Sequence, residues 1–68
     1  MSSFVDFLKD IESKNLLASI VTISSIVFMC SQAYIIEAVL SDCVVLKHKE
    51  DQQIVVIPFS AISHINLH

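Results

Sequence analysis

The sequence predicts a mostly β domain opened by one α-helix, and three observations predict it. Residues 33–65 fall into short apolar runs, AYIIEAVL, CVVL and IVVIPFSAISHI, cut by Ser41-Asp42 and by KHKEDQQ (Lys47–Gln53). These runs are rich in Val and Ile and bounded by charge, which marks strands joined by tight turns. The first residues instead carry their apolar side chains at helical spacing.

The helix is expected over residues 3–14. Ser3 is placed to accept a hydrogen bond from the amide of residue 5 or 6, and Asp6 puts a negative charge in the first turn. Phe4, Phe7, Leu8 and Ile11 share one face, with Asp6, Lys9, Asp10 and Ser13 opposite. From Leu16 the stretch LLASIVTISSIVFMC is dense in β-branched residues, which favour extended backbone. A turn is expected at Ser24-Ser25 and a break at Cys30-Ser31-Gln32. Asp42, and one of Glu50, Asp51 or Gln52, are the expected turn residues further on. Pro58 lacks a backbone donor, so it ends or edges a strand. That gives a strand over Ile54–Ile57, a tight connection at Pro58-Phe59-Ser60, and a second short strand over Ala61–Asn66. The chain has no glycine, so Ser, Asp and Asn must make its bends. The β part is expected over 16–67, and the whole chain, 1–68, is one domain.

Composition decides the next question. Of 68 residues, 54% are apolar and 16% charged, more apolar surface than so small a monomer can hide. The surplus goes into a subunit interface or into a membrane. Asn15–Ile36 is 22 residues without a charge, about the length of one membrane span, and a small single-span membrane protein is one alternative. Five Ser or Thr, with Asn15 and Gln32, interrupt that stretch. Further apolar runs too short to span follow it. Assembly with copies of itself is therefore the expectation, with a membrane role disfavoured. The amphipathic, acid-containing Phe4–Lys14 does not read as a secretory signal, so a cytoplasmic location is expected.

Few residues offer chemistry. Net charge is −3, from four Lys, no Arg and seven acids, whereas a phosphate-gripping domain carries a basic stripe with Arg. Lys47, His48 and Lys49 form the one basic cluster and the candidate nucleic-acid contact, partly cancelled by Glu50 and Asp51. Cys30 and Cys43 lie in apolar runs, where a thiol is expected to be a small inert hydrophobe. His64 and His68 on a strand would stand roughly 13 Å apart, so no metal site is expected. Glu37 is a single acid in an apolar strand. Phe28, Tyr34 and Phe59 read as core or interface residues, since no cations flank them for stacking on bases. No catalytic residue and no cofactor is expected.

The order helix, long strand, three strands, short connection and short strand resembles the Sm-like fold, most closely its bacterial Hfq branch. Asp42-Cys43-Val44-Val45-Leu46 resembles the acidic turn and apolar third strand of that family. Gln53-Ile54-Val55-Val56-Ile57 resembles the fourth strand, and Ser60-Ala61-Ile62-Ser63 the family's His-Ala-Ile-Ser at the start of the fifth. The resemblance implies a strongly bent, five-stranded antiparallel small barrel that assembles into homo-oligomeric rings, the fourth strand of one subunit pairing with the fifth of the next. It places the strand-edge interface on Ile54, Val55, Val56, Ile57, Ala61, Ile62 and Ile65. RNA binding is the alternative function that it implies. Yet Cys43 stands nearest the family's pocket aromatic, Phe59 and Ser60 stand where the family has Lys and His, and Ser25 or a neighbour replaces its turn glycine. A non-catalytic ring module, acting as scaffold or binding ligands through the ring surface, is therefore the leading expectation.

Overall fold

The structure is a computed structural model and describes residues 4–68. The expected Ser3 cap lies outside the described residues. Helix α1 (Phe4–Lys14) carries Asp6 in its first turn and Lys14 in its last, which suits both ends of the helix dipole. It stops where the amide of Leu16 reaches back to Ile11 O and Asn15 enters the left-handed region (φ 53°), so Asn takes the place that Gly usually fills at a helix C-terminus. Leu8 and Ile11 are fully buried and Phe7 half-buried, while Phe4 at the helix start packs edge-on to Phe59 at 5.0 Å. The predicted helical face is the one the fold uses.

Six strands follow: β1 (Ala18–Thr22), β2 (Val27–Cys30), β3 (Tyr34–Val39), β4 (Cys43–His48), β5 (Ile54–Pro58) and β6 (Ile62–Leu67). They form one sheet in the order β5-β4-β3-β2-β1-β6. The Sm-like resemblance implies five antiparallel strands closing a barrel; the structure instead holds six in a mixed sheet whose end strands, β5 and β6, do not pair. The extra strand comes from the expected break after Cys30. Ser31 turns to φ 71°, its Oγ donates to Leu16 O, and the chain loops once before resuming at Tyr34. A single parallel bridge, Cys30 to Tyr34, joins β2 to β3. β2 then pairs with β1 and β3 with β4.

The core is the inner face of this sheet, covered by α1. Leu8, Ile11, Ala18, Ile20, Cys30, Ile36, Val44, Leu46 and Ile57 make up its buried centre. Phe28, Tyr34 and His48 stack edge to face along it, with centroids 5.3 and 4.9 Å apart. Phe28 and Tyr34 thus contact each other and the core. Pro58 ends β5, and a 3-10 turn (Phe59–Ala61) carries the chain to β6. The last strand begins at Ile62 rather than Ala61, because Ala61 completes that turn. No helix among the described residues is long and apolar enough to cross a membrane.

Without glycine, the tight turns borrow other residues. Asn15, Ser25, Ser31 and Gln52 all hold positive φ. In the β1–β2 turn, Ser25 donates its amide to Thr22 O and then sits at φ 70°, a geometry that Gly adopts without strain. Buried Thr22 holds the turn from inside, its Oγ1 accepting from the Ile26 amide at 3.1 Å. Ser25→Gly should therefore raise stability by about 0.5–1 kcal/mol, read as a higher urea midpoint at unchanged slope. A lowered midpoint would show that the Ser25 side chain stabilises the turn more than its backbone strains it.

Candidate functional site

The feature with most capacity to act is the pair of open sheet edges. At β5, the His48 amide donates to Gln53 O and the Phe59 amide to Asp42 O, both at 2.9 Å. Antiparallel ladders alternate, so the positions bonded to β4 are Gln53, Val55, Ile57 and Phe59. Ile54 and Val56 therefore turn their amides and carbonyls away from β4, to the open edge. Pro58 falls in the same set, so its missing N–H removes no ladder bond. At β6, the His68 amide donates to Leu17 O, and Ala18 pairs with Leu67 and Ile20 with Ile65. By the same alternation Ile65 and Leu67 direct their backbone groups to the opposite open edge.

The side chains at these edges are apolar and partly bare. Ile54, Val56 and Leu67 are 55%, 57% and 53% exposed. Ile54 and Val56 lie on the outer face, since their neighbours Val55 and Ile57 point inward; Leu67 lies on the inner face opposite buried Ala18. Of the seven edge residues expected from sequence, Ile54, Val56 and Ile65 present backbone to an open edge. Val55 and Ile57 bond to β4 and pack inward. Ala61 accepts from the Ile23 amide, and the Ile62 amide is taken by Phe59 O. Leu67 falls within the expected β part (16–67) and joins Ile65 on this edge, although it is not among the seven.

The basic cluster is split in space: Lys47 stands apart from His48 and Lys49. Strand alternation sends Lys47 outward, opposite Ile35 and Ile54, and His48 inward against Tyr34. Unprotonated, His48 Nδ1 accepts from the amide of Glu50 at 3.3 Å; protonated, it donates to Asp51 Oδ1 at 3.2 Å. Lys49 reaches back to Ser31 O at 2.7 Å. His48 and Lys49 line an open cleft of about 460 Å³ with Gln32, Ala33 and Glu50, so two cation-forming groups share it with a carboxylate.

The remaining candidates are distributed over the fold. Cys30 is buried and Cys43 half-buried, both as free thiols, so the expectation of two buried cysteines holds for Cys30 alone. Burial pushes the Cys30 thiol up to about 11. Cys43 is raised by desolvation, then by the charge of Asp42 and a hydrogen bond to it. Neither is poised as a thiolate nucleophile. His68 Nε2 lies 2.9 Å from Oγ of buried Ser19, a contact across 49 positions that no local pattern announces. His64 contacts Ser63 Oγ. Among the described residues no group of three metal-binding side chains converges.

Comparison with family models, with curated proteins and with solved structures finds no match to this chain.

The Cys30 thiol makes stability fall in alkali. The folded state favours the protonated thiol, so this contribution is complete below pH 9, the ordinary thiol value, and is lost as pH rises to about 11. The urea midpoint should drop across that window, and Cys30→Val should flatten the drop relative to the parent. Equal slopes in the two proteins would assign the alkaline loss to other groups.

Proposed function

We propose that this chain is a non-catalytic module that works as a closed homo-oligomer, its protomers joined edge to edge in an Sm-like ring that acts as a scaffold or binds ligands on the ring surface. The supporting observation is the pair of apolar open edges at the two ends of one sheet. An unpaired edge exposes amides and carbonyls and invites another strand. Because the two edges differ, each protomer offers one and receives the other, a head-to-tail contact that closes into a ring when the rotation permits.

The side chains favour the same contact. Residues bonded across an antiparallel ladder place their side chains on the same side of the sheet. Pairing Ile54 and Val56 with Ile65 and Leu67 of the next protomer sets the outer face of β5 beside the inner face of β6. The exposed Ile54 and Val56 then cover the exposed Leu67. The Sm-like reading draws further support from the strand order if β2 and β3 are taken as halves of one broken strand, with β5 and β6 as the fourth and fifth strands.

The native mass should be a whole-number multiple, three or more, of the 7.6 kDa protomer, measured by native mass spectrometry or light scattering. Val56→Lys and Leu67→Lys should each abolish the ring while the circular dichroism stays that of the parent, since both side chains are half exposed in the protomer. A fully assembled variant would overturn edge pairing. With its basic residues dispersed, the protein should bind labelled A-rich or U-rich oligonucleotides more weakly than about 10⁻⁴ M even at low salt; binding in the range of about 10⁻⁴–10⁻⁶ M that loses affinity with salt would restore the RNA reading.

A further inference from the structure

The outer face of β3 and β4 holds a second apolar surface that edge pairing leaves bare. Ile35 stands opposite Lys47, and Ala38 opposite Val45. The residues between them on the ladder, Ile36 and Leu46, fill the core, so these four look outward. Glu37 is the extra residue of the bulge between Ile36 and Ala38. With Ala38 it opposes Val45, and exposed Glu37 joins the outer face.

This apolar field contains one acid and one base. Among the described residues neither has an ion-pair partner: the ion pairs there are Lys14 with Asp10 and His48 with Asp51. Lys47 is half-buried, and a lysine at such a position can bury its aliphatic stem while its ammonium stays in water. A hydrocarbon phase would leave Glu37 desolvated without compensation, and a nucleic-acid strand would be repelled by it. A second copy of the same face meets neither objection. A two-fold axis lying in the contact plane, midway between the two charges, sets Glu37 of each protomer on Lys47 of the other, with Ile35, Ala38 and Val45 packed between. The face is self-complementary in charge and apolar where the charges are not.

We propose that the outer face of β3 and β4 docks on the same face of a second copy of this chain, back to back, through reciprocal Glu37–Lys47 pairs. The contact needs only the protomer, so it stands apart from edge pairing; in a ring it would stack two rings.

The test starts from Leu67→Lys, which lacks the proposed edge contact, and reads association by sedimentation equilibrium. This parent should form a two-chain species. Adding Glu37→Lys, or adding Lys47→Glu, should weaken its self-association by about tenfold or more, because each change leaves like charges facing. An equimolar mixture of those two variants should associate again to within roughly threefold of the parent, since faces of opposite sign then meet. Circular dichroism confirms that each variant is folded before it is weighed. A parent that remains a single chain at its highest soluble concentration overturns the proposal. So does a mixture that associates no better than its components, or a single chain that co-sediments with phosphatidylcholine vesicles. If Leu67→Lys keeps the full wild-type mass, edge pairing has failed, and the charge exchange still reports on the face alone.

Discussion

Backbone hydrogen bonding at the two ends of the sheet is the constraint on which the rest of this molecule depends. Every inner strand has neighbours on both sides; β5 and β6 have one each. A strand edge is a row of strong donors and acceptors, and proteins that remain monomeric commonly blunt it with charge, proline or a covering element. Here the blunting is slight. Pro58 removes a single donor at the end of β5, and the residues that turn their backbone outward, Ile54, Val56, Ile65 and Leu67, are all apolar. The edges read as contacts awaiting a strand, which is why the proposed assembly uses them.

The apolar surplus is the same fact seen through side chains. A buried cluster drawn from α1 and all strands but β6 satisfies the inner face, yet the outer face stays rich in Ile and Val. Two kinds of surface result. At the edges, exposed side chains accompany unpaired backbone, so a partner strand covers both at once. On β3 and β4 the backbone is already paired, so only side chains and the Glu37 and Lys47 charges remain to be matched. Two distinct exposed surfaces let one short chain carry so much apolar residue around a single buried core.

Local backbone chemistry supports this arrangement without glycine. Asn15 and Gln52 supply left-handed conformations at the helix end and the β4–β5 turn, and Ser25 and Ser31 do so where strands must bend or break. Ser31 matters most for topology. Its positive φ and its bond to Leu16 O turn what would be one long strand into β2 and β3, serving β1 and β4 respectively.

Periodicity and composition were enough to read α1, the β-rich remainder, the turns at Ser24-Ser25 and after Cys30, the strand end at Pro58, and the excess of apolar surface. Those are local properties, set by side-chain spacing, β-branching and the missing proline N–H, and they survive whatever the chain packs against. Tertiary structure alone decided the rest. The break at Ser31 became a separate strand through one long-range bridge. Lys47 parted from His48 because successive strand residues face opposite ways, and Lys49, beyond the end of β4, came to share a cleft with His48. His68 found Ser19 only because β6 lies beside β1. Which residues of β5 and β6 turn outward also depends on ladder register, which relates positions far apart in the chain and leaves no mark in either segment alone.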